Sequence, residues 1–149
     1  MDWKILNRAG EEEGSSLLET ALLLPMLLLL LVVAVDLGRA YYVAMEVSSS
    51  AYSGAQYGTQ NMTDTAGMVA ASSLDAPDLP TLTPVAKYGC ECSDGSQAVD
   101  SCVSPPTCTL NVVNYVEVDT SVTYVPILPY PGLTNSLLLQ GKARMRVSR

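Results

Sequence analysis

Four cysteines carry the most distinctive chemistry in this 149-residue sequence: Cys90, Cys92, Cys102 and Cys108. An even number of thiols in an extracytoplasmic segment is typical of disulfides. A zinc site built from all four thiolates is the alternative, but the spacing C-x-C-x9-C-x5-C lacks the C-x2-C pairs of zinc ribbons. Cys90 and Cys92 face the same side of an extended strand, where a bond between them would be strained. We therefore expect no metal and two disulfides, which join this pair to Cys102 and Cys108 in a nested or a crossed arrangement.

The absence of histidine limits the catalytic chemistry open to this chain. Ser-His-Asp triads and most catalytic zinc sites need imidazole, so both are excluded. The acidic residues are scattered over predicted loops and one strand, and the serines at 48–50 lie on a helix that is predicted to pack. The formal net charge of −7 argues against nucleic-acid binding, which requires clustered positive charge. We therefore expect a structural or assembly protein with no catalytic residue and no cofactor.

The most apolar part of the sequence is an uncharged run from Thr20 to Val35, TALLLPMLLLLLVVAV. Extending this run to residues 15–37 adds only two charges, Glu19 and Asp36. A helix needs about 20 residues to cross a bilayer, because each residue advances it by about 1.5 Å. A buried core helix is the alternative, but such a helix usually contains more polar residues. The sequence therefore predicts a transmembrane helix over about 15–38.

The residues on either side of this helix are typical of a retained anchor. A cleaved secretory signal has a basic amino-terminal region and a small-residue cleavage site. Here three glutamates at 11–13 precede the helix, and no A-x-A site directly follows it. Lys4 and Arg8 precede the span and Arg39 follows it, so the positive-inside rule slightly favours a cytoplasmic amino terminus. The part of the chain after the helix is then extracytoplasmic.

A glutamate at the beginning of the predicted span is the sharpest local feature. A carboxylate within a membrane segment costs about 2.5–3.5 kcal/mol on insertion scales, so it usually has a partner. Glu19 follows Gly14 by five positions, and a protease can approach a glycine backbone closely because glycine has no Cβ. Cleavage after Gly14 would leave Ser15 as an amino terminus one helical turn from Glu19. The carboxylate could pair with that amine or a neighbour's, or it could simply stabilise the start of the helix.

This arrangement resembles the processing site of type IV pilin-like precursors, in which a polar leader ends in glycine and a glutamate stands fifth in the mature chain. The wider sequence resembles TadE-like proteins. Segments 14–25 (GSSLLETALLLP) and 36–42 (DLGRAYY) look like the opening of that family, and 50–58 (SAYSGAQYG) resembles its small-residue stretch. Segments 115–124 (YVEVDTSVTY) and 140–146 (QGKARMR) fit its closing strands. The acidic leader departs from the basic leaders that are common in the family.

The resemblance implies a function and a set of partners. TadE-like proteins are pseudopilins of bacterial tight-adherence systems; they are thought to assist assembly of thin Flp-type pili and are matured by a dedicated prepilin peptidase. For this chain the resemblance implies a leader over residues 1–14, cleavage between Gly14 and Ser15, and a role for Glu19 in setting the register of helix packing. The partners would be the membrane, the peptidase and other pilin-like subunits, with a homo-oligomer or filament as the assembly. The expected location is the bacterial inner membrane, with a single pass and an extracytoplasmic C-terminal head, or an exported filament.

The segment after the predicted span continues as a helix and then breaks. Small and aromatic residues recur at three- and four-residue steps and predict a packing stripe of Tyr41, Ala44 or Met45, Ser48, Ala51 or Tyr52, and Ala55. Gly54 and Gly58 weaken the helix, which favours a break at 58–62. Thr63 or Asp64 could cap a second short helix that ends near Asp75.

The C-terminal half of the sequence predicts a small sheet. Three prolines within 76–84 indicate a linker, and alternating apolar and polar residues predict strands over 85–92, 115–124 and 137–147. We therefore predict an α+β fold, in which a long N-terminal helix over 15–75, transmembrane and then amphipathic, packs on an antiparallel sheet of about three strands. Residues 76–149 would form a β-rich head that is stapled by disulfides, and the leader 1–14 is predicted to be irregular.

The two long predicted strands carry opposite charges. The last strand has bases and no acidic side chain (Lys142, Arg144, Arg146 and Arg149), whereas Glu117 and Asp119 lie on the strand before it. Cross-strand attraction of about 0.2–1 kcal/mol per pair should favour their pairing. Binding of the basic strand to anionic lipid or to an acidic partner is the alternative.

Three functions remain open from the sequence. The chain could be a pseudopilin that is cut after Gly14 and packs through its apolar helix, the main subunit of an extracellular filament, or a single-pass anchor that presents a small binding domain. An enzyme on a membrane tether has the least support, because no group of residues forms a catalytic constellation.

Overall fold

The computed structural model describes residues 9–130, 132 and 135–147, and side chains from residue 16 onward. These residues form five elements: α1 Ala9–Gln60, α2 Thr65–Asp75, β1 Thr83–Cys92, β2 Val112–Tyr124 and β3 Leu137–Val147. The long helix and the three-stranded antiparallel sheet confirm the predicted α+β class. Lys4, Arg8 and Arg149 lie outside the described residues, as do the first eight residues of the predicted leader.

The prediction of an irregular leader is wrong for its second half, because α1 already begins at Ala9. Alanine and the three glutamates at 11–13 have high helix propensities. The peptide bond between Gly14 and Ser15 therefore lies within a helix in the uncleaved chain.

The chain divides into two compact units, Met1–Arg39 and Ala40–Arg149. In the first unit, α1 exposes nearly all of its large apolar side chains: Leu17, Leu18, Leu22, Leu23, Leu24, Met26, Leu27, Leu28, Leu29, Leu30, Leu31, Val35 and Leu37. Among the described residues, one helical stretch, Ser16–Gln60, is long and apolar enough to cross a membrane. An apolar surface of this kind is stable in lipid or against other apolar helices, and not in water.

In the second unit, α1 packs on the sheet through small residues. Val47, Ser50, Ala51 and Ala55 are completely buried, and Gly54 and Gly58 lie on the same side. The predicted stripe is therefore correct at Ala55 and at Ala51, the buried one of the alternatives Ala51 and Tyr52, but wrong at Tyr41 and Ser48, which are exposed. Both sets of positions have a helical period, and the side that lets the backbones approach most closely became the buried one.

Gly141 of β3 permits the closest approach between α1 and the sheet. A Cβ at this position would lie 2.6 Å from the carbonyl oxygen of Val47 and 2.9 Å from the Cα of Ser48. Beside it, the hydroxyl of Thr120 donates a 2.7 Å hydrogen bond to the same Val47 carbonyl. The helix is thus held directly against the boundary between β2 and β3.

A short connection separates α1 from α2, where the glycines and Thr63–Asp64 indicated a break. Asp64 is the N-cap of α2: its Oδ1 accepts a 2.9 Å hydrogen bond from the backbone N–H of Gly67, and its Oδ2 accepts a 2.8 Å bond from the hydroxyl of Tyr57. The Gly67 bond, followed by the Tyr57 bond, lowers the pKa of Asp64. Met68 and Ser72 form the buried side of α2.

The sheet has the strand order β1-β2-β3, and both pairings are antiparallel. In register, Glu117 of β2 lies opposite Lys87 of β1 and Arg144 of β3, and Asp119 lies opposite Lys142. Val116, Val118, Thr120 and Val122 face the helices, whereas the intervening residues face the other side. β3 begins and ends where the sequence predicts, and β1 and β2 each begin a few residues earlier than predicted.

Candidate functional site

The predicted processing residues all lie in the first unit, on α1. Gly14 and Ser15 are helical, and Glu19 is exposed one turn further on. Thr20 donates a 2.9 Å hydrogen bond to the carbonyl of Ser16, which satisfies its hydroxyl within the helix. Because Glu19 is exposed, it is a charged residue at the edge of an otherwise apolar helical surface and is accessible to a partner.

The four predicted cysteines come together as two disulfides in the second unit. Cys90 is bonded to Cys102 and Cys92 to Cys108. This is the crossed arrangement, one of the two that the sequence left open. Cys90 and Cys92 lie at the end of β1, so both bonds anchor the 93–111 connection to the edge strand of the sheet.

The 93–111 connection is also held by hydrogen bonds. Val99 and Cys90 exchange backbone hydrogen bonds of 2.8 and 3.0 Å, so the connection adds a short bridge to the free edge of β1. The hydroxyl of Tyr115 donates a 2.9 Å bond to Asp100. This bond, followed by the attraction of Lys87, lowers the pKa of Asp100. The disulfides and these hydrogen bonds together hold the 93–111 connection against the β1 edge of the sheet.

The side of the sheet that faces away from the helices, which we call the outer sheet face, carries a network of charges around Glu117. This glutamate is only 3% exposed and accepts bonds from Lys142 at 2.8 Å and from Lys87 at 3.0 Å. Burial raises its pKa, but the hydrogen bonds from Lys142 and Lys87 outweigh burial and the net pKa is lowered. The predicted attraction between the basic strand and its acidic neighbour is confirmed by these contacts and by a 3.5 Å pair between Lys142 and Asp119.

A second buried acid, Glu91, was missed by the sequence analysis. It is 4% exposed and pairs with Arg144 at 2.7 Å and with Arg146 at 2.8 Å, although these arginines lie on the opposite edge strand. The arginines reach it across Tyr115, whose ring centroid lies 3.7 Å from the guanidinium carbon of Arg144. The contact depends on the order of the strands in the sheet. The only local indication that Glu91 would be buried there was its alternating position in β1.

The side chains described above can stabilise the fold and contact other molecules. Within the described residues, no group of three or more histidine, cysteine, aspartate or glutamate side chains could hold a metal ion. The buried acids of the outer sheet face are already neutralised by bases of the same chain. What the described residues present to other molecules is the apolar surface of α1 in the first unit and the exposed surface of the head.

Comparison with known proteins gives a match to a protein family. The family model described as TadE-like protein matches residues 14–56, from the predicted cleavage glycine to the small-residue part of α1. No curated protein and no solved structure matches the chain. The matched family is the one that the sequence motifs resemble.

Proposed function

We propose that this chain is a pseudopilin of a tight-adherence system, a structural component that is cut after Gly14 and assembles through its apolar helix. The observation that carries this proposal is the match to TadE-like proteins over residues 14–56, which starts at the glycine of the candidate cleavage site. The position of Glu19, five residues later, agrees with the pilin-like pattern that the sequence contains.

The apolar part of α1 supports assembly by helix packing. Its leucines point in all directions, so the helix has no single apolar stripe and can contact lipid on one side and other helices on another. Glu19 is expensive in such surroundings unless a cation compensates it. The new amine of Ser15, in the same or a neighbouring subunit, is the compensating group in this proposal.

The head supports a structural function. It combines a small apolar core with two disulfides and a neutralised charge network, which together stabilise a domain too small to rely on its core alone. The proposed location is the inner membrane, with the head on the extracytoplasmic side, where disulfides form and persist.

The processing step is tested by sequencing the amino terminus of the protein purified from membranes, with and without an active prepilin peptidase. We expect Ser15 with the peptidase and the intact leader without it. Gly14→Asp should block cleavage, whereas Gly10→Ala, a glycine substitution in the same leader, should not. An intact leader in cells with an active peptidase would remove the mechanism.

The function of Glu19 is tested separately from cleavage. Glu19→Ala should leave cleavage within about twofold of wild type and abolish incorporation into pilus-associated assemblies, because the proposed amine partner is lost. Glu13→Ala, which removes an acid from the leader, should leave incorporation unchanged.

The two alternatives predict other outcomes of the same purification. Fibres that consist of this chain would identify it as the main filament subunit. A stable monomer that keeps its leader would identify a membrane anchor that presents the disulfide-stapled head.

A further inference from the structure

The exposed side of α1 in the second unit is a surface to which the proposed function assigns no partner. Tyr42, Met45 and Tyr52 lie on the side of the helix opposite the buried Val47 and Ala51. Their exposed fractions are 57%, 49% and 58%. We call this surface, together with Glu46 and Ser49 between them and Asp75 of α2, the outer helix face.

A groove in the outer helix face contains two carboxylates. Tyr42, Met45, Glu46, Ser49 and Asp75 line a volume of about 280 Å³. Ser49 donates a 2.9 Å hydrogen bond to Asp75, whereas Oε2 of Glu46 is shielded from solvent and has no hydrogen-bond partner among the described residues. A shielded carboxylate oxygen without a partner is costly, so a cation brought to this groove would be stabilised.

The membrane surface does not account for the whole outer helix face. Tyr42 and Tyr52, at the two ends of this face, are ten residues apart, which corresponds to about 15 Å along the helix. The headgroup layer extends only about 5–8 Å beyond the hydrocarbon. A protein surface is therefore the occupant that can cover the face from one end to the other.

The charge of the outer helix face indicates which kind of protein surface can bind it. The outer helix face contains two acids, Glu46 and Asp75, and no lysine or arginine. Two outer helix faces would repel each other, so the contact cannot join identical surfaces. The described bases of the head lie on the opposite layer. Lys142 and Arg146 of β3 pair there with acids of their own chain, but 59% and 53% of their side chains stay exposed above the buried Glu117 and Glu91.

We infer that the outer helix face of one copy binds the cationic side chains of β3, Lys142 and Arg146, on a second copy of this chain. Acidic carboxylates and tyrosine rings both attract lysine and arginine. Such a contact joins two different surfaces and is heterologous, so it can be repeated from copy to copy. The inference rests on the proposed function only in that several copies lie side by side in one membrane.

The contact is located by zero-length crosslinking of the full chain in lipid vesicles, without peptidase or other pilus components. Equal amounts of ¹⁴N- and ¹⁵N-labelled protein are mixed before reconstitution and treated with a carbodiimide that joins lysine amines to adjacent carboxylates. We expect mixed-isotope links from Lys142 to Glu46 or Asp75. The link between Lys142 and Glu117 within one chain, whose atoms are 2.8 Å apart, is the internal control. Formation of the control link without the mixed-isotope links would overturn the inference.

The strength of the contact is tested by variants in the same vesicles. Glu46→Gln and Asp75→Asn should each weaken self-association about tenfold, measured by energy transfer between labelled copies. Asp78→Asn removes the same charge outside the groove and should change it less than twofold. Equal thermal unfolding of the three variants shows that the fold is intact. Unchanged association of Glu46→Gln and Asp75→Asn would contradict the inference, whatever the outcome of the cleavage experiment.

Discussion

Arg144 of β3 reaches Glu91 of β1 across the full width of the sheet, with 2.7 Å between Nη2 and Oε2. Its guanidinium lies over the ring of Tyr115, which stands on the intervening strand β2. Because planar guanidinium groups stack on aromatic rings and bond carboxylates at the same time, one side chain ties both edge strands to the central one. The two edges of the sheet are thereby coupled without a backbone hydrogen bond between them.

Glu91→Gln should destabilise the head by about 1–3 kcal/mol, because a buried carboxylate that accepts two charge-assisted hydrogen bonds is replaced by a neutral amide. The measurement is urea unfolding of the full chain in detergent micelles, followed by the near-ultraviolet circular dichroism of its tyrosines. Asp119→Asn is the control, because this carboxylate is 46% exposed and its pair with Lys142 is 3.5 Å long. The control should lower the free energy of unfolding by less than about 1 kcal/mol. If both variants lowered it equally, the Glu91 contacts would not stabilise the head more than an exposed ion pair does.

The head should be most stable between about pH 5 and pH 10. Glu117 and Asp100 have pKa values below the usual ones, so their contribution is complete above the usual pKa of 4.5 for glutamate and is lost as the pH falls through the lowered values. Lys87 and Lys142 have raised pKa values, chiefly because of their hydrogen bonds to Glu117. Their contribution is complete below 10.5 and is lost as the pH rises through the raised values. Thermal unfolding measured from pH 2 to pH 11 checks both limits, and Glu117→Gln should reduce the loss at the acidic end.

Reduction of the disulfides should release the 93–111 connection and destabilise the head. Removal of Cys90–Cys102 through the double change to alanine should lower the free energy of unfolding by about 3 kcal/mol, because the unfolded chain regains the entropy of a loop with a separation of 12 residues.

The disulfide pairing is checked by non-reducing digestion with a glutamate-specific protease, which separates Cys90 from Cys92 by cleavage after Glu91, and by fragmentation between Cys102 and Cys108. A Cys90–Cys108 link would contradict the crossed arrangement.

Gly141→Ala should destabilise the contact between α1 and the sheet by about 1–3 kcal/mol, because the added methyl group meets the backbone of Val47 and Ser48, which cannot move aside as a side chain can. Gly38→Ala is the control: a Cβ at Gly38 has nothing within 4 Å, and alanine is the better helix former. The control should unfold at the same or a higher urea concentration. A neutral effect of Gly141→Ala would show that α1 can shift on the sheet.

The sequence by itself determined the type and the approximate bounds of most helices and strands. Composition identified the candidate membrane helix, because length and polarity alone decide whether a helix suits lipid. Alternation identified the three strands, and the opposite charges of β2 and β3 correctly predicted the contact between Glu117 and Lys142. The motif from Gly14 to Glu19 led to the TadE-like resemblance that the family match supports, while cleavage and the function of Glu19 remain predictions.

The tertiary structure decided the features that depend on residues distant in sequence. Two helical stripes were available on α1, and close packing against Gly141 and Thr120 selected the one with Val47 and Ala51, which left Tyr52 exposed. The crossed pairing of Cys90 with Cys102 and the contact between Glu91 and Arg144 arise in the same way. Periodicity describes one element at a time, whereas these contacts depend on strand order, on side-chain reach and on which backbones can approach each other closely.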